Sequence, residues 1–163
     1  MKKVKLYNVV FPIWLLIIFP ATWIVVLPAN FVIDLFVVVL TMKCLRIAEV
    51  KKNAKAVILK VWVMGFAADI VGTIAMMIWN FVDINVSVEF ANTVTYNPLR
   101  NVYAFFWVTL CVLLSAILIY IFNYRWCLKK ADFSNVQRKR VALALAVFTA
   151  PYLFYLPTSW FDF

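Results

Sequence analysis

Long apolar runs separated by short polar stretches make up most of this chain between residues 9 and 156. A run of about 20 apolar residues has the length that an α-helix needs to cross the hydrocarbon core of a bilayer. The pattern predicts an all-α integral membrane protein, a bundle of about five transmembrane helices that forms one domain over residues 1–163. The predicted spans are residues 9–27, 31–45, 56–82, 102–122 and 141–156.

The first apolar run, from Val9 to Leu40, is too long for a single crossing. As one helix it would extend about 48 Å, against a hydrocarbon core of about 30 Å. Pro28 interrupts helical hydrogen bonding and Asn30 tolerates turn conformations, so we expect the helix to break at these residues. A re-entrant first hairpin is the main alternative, because the second span is short and contains Asp34.

The polar stretch at residues 83–100 separates the third span from the fourth. Within it Ile84, Val86 and Val88 alternate with polar residues. Alternation with a period of two is typical of a half-buried strand. A short β segment lying on the outer membrane surface is therefore predicted.

Basic residues are distributed on one side of this topology. All but Arg100 of the 16 Lys and Arg residues lie near the N-terminus or within residues 43–60 and 125–140. Cytoplasmic loops collect Lys and Arg, so we expect a cytoplasmic N-terminus and a C-terminus outside. The first apolar run is longer than a secretory signal and lacks an Ala-x-Ala site after it, so an uncleaved first span is expected.

Composition supports a membrane protein. Apolar residues make up 67% of the chain and charged residues 14%, against roughly half and a quarter in soluble domains. The expected location is the plasma membrane, or the inner membrane if the source is bacterial. Because the positive-inside pattern explains the net charge of +9, no nucleic-acid partner is expected.

Catalytic chemistry has little support in the sequence. The chain has no histidine, which removes the commonest general base and metal ligand, and only two glycines. Its three cysteines are odd in number and imply no disulfide framework. We therefore expect no enzyme activity, no cofactor and no metal site.

Asp69 is the most unusual residue, because it falls near the middle of the third span. An ionised carboxylate there costs about 2.5 to 3.5 kcal/mol, so it must be paired, protonated or hydrated. Gly65 and Gly72 share its helical face and allow another helix to approach closely. Lys60 lies on the opposite face and cannot pair with it. Burial then favours the neutral acid, which either locks two helices together or exchanges a proton with a transported ion.

Asp34 has a different expected environment. One turn from the predicted break, it lies near the outer interface, where it is solvated or caps the turn. Its depth differs from that of Asp69, which argues against a pair of facing carboxyls of the aspartic-protease kind.

The last inner loop carries six basic residues and one acidic residue. Topology alone accounts for them, although such a cluster also has the charge to bind anionic lipid headgroups. The residues are Arg125, Lys129, Lys130, Arg138, Lys139 and Arg140.

Two functional hypotheses follow from the sequence. The first is a non-enzymatic membrane subunit with an accessory, immunity, exclusion or assembly role. It would bind another membrane protein, or itself, through the small-residue face of the third span and the outer loop. The alternative is an oligomeric channel or small proton-coupled transporter that uses Asp69.

Overall fold

A computed structural model describes residues 20–80 and 85–157 of the chain. The described residues form α-helices and short 3₁₀ or π segments and contain no strand, so the all-α prediction is confirmed there. That they form one domain stays a prediction. The helices are α1 (Pro20–Cys44), α2 (Val50–Met77), α3 (Asn85–Tyr96), α4 (Val102–Phe122) and α5 (Asn135–Phe148).

Three helical stretches of the described residues are long and apolar enough to cross a membrane, namely Val26–Cys44, Val50–Met77 and Val102–Lys130. The predicted third and fourth spans correspond to α2 and α4. The last stretch extends beyond α4 because a π segment, Asn123–Cys127, and a 3₁₀ turn, Leu128–Lys130, continue it. Most of the predicted first span, residues 9–19, lies outside the described residues.

The predicted break at Pro28 and Asn30 is wrong. Pro28 lies inside α1, which continues without interruption to Cys44. A proline removes one helical hydrogen bond, whereas a full turn within the bilayer would leave several backbone groups without partners. The continuous helix therefore leaves fewer polar groups unsatisfied, and it puts Asp34 near the middle of the Val26–Cys44 stretch.

The reversal of the chain occurs instead between α1 and α2. Arg46 has a φ of 52°, and its N–H bonds to the carbonyl of Lys43 at 3.0 Å. The N–H of Ile47 bonds to the carbonyl of Met42 at 3.0 Å. This is a Schellman C-cap, and the buried side chains of Met42 and Ile47 supply its apolar contact.

The predicted β segment at residues 83–100 is also wrong, because α3 spans Asn85–Tyr96. Ala91, Val94 and Thr95 are buried on one side of this helix, at the spacing of three and four residues that an amphipathic helix requires. The alternation of apolar residues is short, so it was compatible both with the period of two residues of a strand and with the period of about 3.6 residues of a helix. Packing against Trp79 and the start of α4 decides for the helix.

The predicted fifth span, residues 141–156, has different bounds in the structure. Ser134 and Gln137 form a capping box, so α5 begins at Asn135. It ends at Phe148, ahead of Pro151, and at 14 residues it measures only about 21 Å. This helix alone is too short to cross a bilayer.

Four helices form a closed ring. In it α1 packs against α2 and α5, and α4 packs against the same two helices. α3 covers the end of the ring where α4 begins. Many large apolar side chains face outward, among them Phe36 with 65% of its surface exposed and Phe106 with 62%, as expected when lipid is the solvent.

Candidate functional site

A cavity of about 350 Å³ lies between α1, α2 and the segment that follows α5. Polar side chains converge on it from all three elements. Its polar lining consists of Asn30 and Asp34 from α1, Asp69 and Thr73 from α2, and Thr149 from the end of α5. The remaining lining is apolar or aromatic.

The cavity lies where α5 stops partway along the bundle. Beyond Phe148 the chain continues through Pro151 and a 3₁₀ turn, Tyr152–Tyr155, to reach the start of α4. There the rings of Tyr155 and Phe105 lie 5.4 Å apart. Residues of this irregular segment, from Thr149 to Phe154, line the cavity.

The end of α5 adds negative potential to this cavity. The Thr149 hydroxyl donates to the carbonyl of Leu145 at 2.8 Å, and the Tyr152 hydroxyl donates to that of Val147 at 2.6 Å. The C-terminus of a helix carries about half a negative charge through its aligned peptide dipoles. An end of this kind favours a nearby cation.

Asp34 is buried, with 7% of its surface exposed. It lies against Gly65, where an added Cβ would come within 3.7 Å of its Oδ2 atom. The Thr149 side chain is within hydrogen-bonding reach of its carboxyl. The Thr149 hydroxyl has a single proton, which it can donate either to the carbonyl of Leu145, as it does at 2.8 Å, or to the Asp34 carboxylate.

Asp69 lines the same cavity from α2 and is close enough to Asp34 for the two carboxyls to repel each other. Its Oδ1 atom is buried and has no hydrogen-bond partner among the described residues. The expectation that the two acids differ in depth is therefore wrong, because it depended on the break at Pro28. With α1 continuous, Asp34 reaches the level of Gly65 on α2.

The cavity holds no positive side chain among its described lining residues. Asp34, Asp69 and Tyr152 are the titratable residues in that lining. Two carboxyls without a counter-ion in an apolar bundle must be protonated, hydrated or paired with a bound cation.

Gly72 faces α4 and not the cavity. A Cβ at this position would overlap the Oγ atom of Ser115 and lie 3.3 Å from the carbonyl oxygen of Cys111. The Ser115 hydroxyl in turn donates to the carbonyl of Ala68 at 3.3 Å. α2 therefore presents Gly72 to α4, while Asp69, about 60° away around the helix, faces the cavity.

From the depths of the predicted spans, the neighbours expected for Asp69 are Thr109, Cys111 and Ser115 on the fourth span and Thr149 or Tyr152 on the fifth. They are partly found. Thr149 and Tyr152 line the cavity with it. Ser115 is engaged with α2 at Ala68, and the Thr109 hydroxyl lies 3.0 Å from that of Tyr155. Neither of these two is in the cavity lining.

The basic residues of the last inner loop gather at the opposite end of α4 from Arg100. Asn53 holds this loop against the start of α2, since its Oδ1 accepts from the Asp132 N–H at 3.2 Å. Its Nδ2 donates to the carbonyl of Ala48 at 3.0 Å. The basic end, as we call this surface, comprises the exposed residues Lys51, Lys52, Lys55, Arg125, Lys129, Lys130, Lys139 and Arg140 and the half-buried Arg138.

Sequence reasoning missed the cavity because it missed the end of α5. The signal was present, since Thr149 and Pro151 interrupt an otherwise apolar stretch and proline disfavours the α conformation in the preceding residue. Trp62, whose buried indole N–H has no partner among the described residues, also lines the cavity and was not predicted.

Comparison with protein-family models, with curated proteins and with solved structures found no match to this chain. The described part of the chain is helical, with three helical stretches long and apolar enough to cross a membrane and with two acids in one cavity.

Proposed function

We propose that this chain is a multi-pass protein of the plasma membrane that binds a cation in the Asp34–Asp69 cavity and exchanges it for protons. The observation that carries the proposal is the presence of two carboxyls in one cavity whose described lining has no Lys or Arg. Proton and cation neutralise the same groups, so each displaces the other. Such competition is what couples two fluxes in a transporter.

The end of α5 at Phe148 and the irregular segment that follows it support a transporter that carries the cation. Transporters commonly bind their ions where a helix is interrupted near the bilayer midplane, so that its end and nearby side chains face the ligand. Here α5 ends at Phe148, and Thr149 lies beside Asp34. The irregular segment after it is the element that a conformational change would move.

The location of Asp69 favours a carrier over a channel shared between protomers. It lines the same cavity as Asp34 of the same chain, so both carboxyls of the site come from one protomer. A pore lined by one Asp69 from each subunit would need that side chain on an outer face of the bundle.

The orientation we propose has the basic end in the cytoplasm. Support comes from its exposed Lys and Arg side chains, which lie at the opposite end of α4 from Arg100. This is the distribution that cytoplasmic loops show.

Reconstitution tests the proposal. Acid-loaded vesicles containing the protein receive Na⁺, K⁺ or an organic ammonium outside, and a trapped pH dye follows the lumen. We expect at least one cation to drive proton efflux in the wild type and in Asp132→Asn, whose exposed carboxylate lies outside the cavity. Asp69→Asn should abolish that efflux.

The accessory, immunity, exclusion or assembly subunit, which was the first hypothesis from the sequence, stays a prediction and is the alternative to the carrier. Gly72 is packed against α4 of the same chain, so a partner would have to bind elsewhere than that face. A second membrane protein that co-purifies in fixed ratio, together with no Asp69-dependent proton movement for any cation, would replace the carrier proposal with this one.

A further inference from the structure

We infer that the cation bound by this cavity is a protonated organic amine with an aromatic or branched apolar body. This inference rests on the function proposed above, because it names the substrate class of the same site. It is carried by the size of the cavity, its aromatic lining, the free carboxyl oxygen of Asp69 and the side on which the cavity opens.

The size of the cavity excludes a close fit to a bare metal ion. Its volume of about 350 Å³ falls in the range of about 300 to 1,000 Å³ that small organic ligands occupy. Hard cations such as Ca²⁺ need about six converging oxygen ligands. No group of three or more His, Cys, Asp or Glu among the described residues is placed to hold a metal.

Aromatic side chains form much of the wall. Trp62 and Phe66 contribute from α2, and Phe148, Tyr152 and Phe154 contribute from the end of α5 and the segment that follows it. An aromatic face attracts a cation electrostatically and also packs against an apolar body. The combination suits a ligand that carries one positive charge on a hydrophobic framework.

The carboxyl groups select the kind of head group. Asp69 Oδ1 is buried without a partner among the described residues, so a ligand N–H can donate to it. Such a charge-assisted hydrogen bond is about twice as strong as a neutral one. A quaternary ammonium of the same size has no N–H and leaves that oxygen unsatisfied. The site should therefore prefer the protonated amine.

The cavity opens toward the side of the bundle. Ile33 on α1, Ile70 on α2 and Leu153 line it and are also exposed on the outer surface, Leu153 with 61% of its area. If the bundle spans the membrane as proposed, this side surface faces the hydrocarbon of the bilayer. An amphiphilic amine that partitions into the bilayer reaches the site from there, whereas a fully hydrated ion does not.

Titration calorimetry on the detergent-purified protein tests the inference, with protein-free micelles as the blank. The probe is 1-naphthylmethylamine in its protonated form. Its comparison ligands are the trimethylated quaternary analogue, the uncharged alcohol 1-naphthalenemethanol, NaCl and KCl. Repeating each titration in two buffers of different ionisation enthalpy counts the protons released.

We expect saturable binding of the amine at one site with proton release. Binding of the quaternary analogue and of the alcohol should be at least tenfold weaker. Asp69→Asn should weaken amine binding at least tenfold, while Asp132→Asn should leave it unchanged. Gel filtration and circular dichroism establish that each variant is folded.

Gly65→Leu supplies a second variant that keeps both carboxyls. The nearest atom to a Cβ at Gly65 is Asp34 Oδ2 at 3.7 Å, so a longer side chain extends into the cavity. Amine binding should be lost in this variant. Gly65→Ala adds only one methyl group and should reduce binding less than tenfold.

Three results would overturn the inference. Proton release on adding NaCl or KCl, dependent on Asp69 and without amine binding, would mean an inorganic substrate and leave the proposed function standing. Amine binding that survives in Asp69→Asn or Gly65→Leu would locate the ligand elsewhere. Proton release with none of the cations would remove both the inference and the proposed function.

Discussion

Asp34 on α1 and Asp69 on α2 line the same cavity, where their carboxyls are close enough to repel each other. Each lies within a helical stretch apolar enough to cross a membrane. Repulsion in a medium that solvates charge poorly destabilises the state in which both are ionised. Protonation of either carboxyl should therefore stabilise the folded bundle.

The first prediction concerns the stability of carboxyl variants. Asp69→Asn should raise the apparent melting temperature of the purified protein by a few degrees in the absence of a bound cation, because it removes one of two repelling groups. The gain should grow as the pH rises and both acids of the wild type ionise, and it should vanish at low pH. A thermal-shift assay across pH, with Asp132→Asn as control, measures this.

A lower melting temperature for Asp69→Asn at every pH would contradict that prediction. It would favour the other role considered for Asp69, a neutral acid that locks two helices together through hydrogen bonds.

The second prediction concerns the two glycines of α2. Gly72→Ala should destabilise the protein by about 2 kcal/mol, because its Cβ overlaps the Oγ atom of Ser115 and forces the two helices apart. Gly65→Ala is the matched control, since its Cβ has an ordinary contact at 3.7 Å. Denaturation of the detergent-purified variants gives both values.

Ser115→Gly should restore part of the stability lost in Gly72→Ala, because the two positions share one contact. Equal effects of Ala at Gly65 and Gly72, or no rescue by Ser115→Gly, would argue against this packing of α2 on α4.

The third prediction distinguishes a continuous α1 from a turn at Pro28. Ala29 is exposed on the side of α1, within the stretch Val26–Cys44. In a variant without the native cysteines, Ala29→Cys should resist a membrane-impermeant maleimide added to intact vesicles. Arg100→Cys, in the segment between α3 and α4, is the control for an aqueous position. Similar labelling of both cysteines would support a turn at Pro28 on the membrane surface and contradict a continuous α1.

The fourth prediction concerns the basic end. Lys129→Gln combined with Lys130→Gln should reduce the preference of the protein for bilayers that contain anionic lipid. Each Lys near such a surface contributes about 1 kcal/mol at moderate ionic strength. Arg100→Gln, at the other end of α4, should have no effect. The measurement is the exchange of lipid around the protein between vesicles with and without anionic lipid. If the Lys129, Lys130 and Arg100 changes all had equal effects, only membrane topology would explain the basic residues of this loop.

Much of the fold could be predicted from hydrophobic periodicity. The prediction for α4 has the bounds of the helix, Val102–Phe122, whereas α2, Val50–Met77, overlaps the predicted span 56–82 but begins and ends earlier. These runs are long and uniformly apolar, so no competing structure satisfies their backbone groups in a bilayer. Gly72 was recognised as a close-packing position because a small residue on an apolar helix permits approach.

Three errors have one kind of cause. At Pro28, at residues 83–100 and at Thr149 the local signal was compatible with two structures, and contacts distant in sequence selected one. Pro28 is accommodated inside α1, whereas α5 ends shortly before Pro151. A proline costs one hydrogen bond in either case, and the neighbouring helices determine whether the freed groups find partners.

By itself the sequence determined that the chain is helical and apolar, that its cations lie at the ends of the apolar runs, and that Asp69 lies within one of them. These properties depend on residue type and local spacing. Only the tertiary structure decided that Asp34 shares a cavity with Asp69. The depth of Asp34 depends on the continuity of α1, and the cavity on the early end of α5. Both are consequences of packing, which local periodicity does not encode.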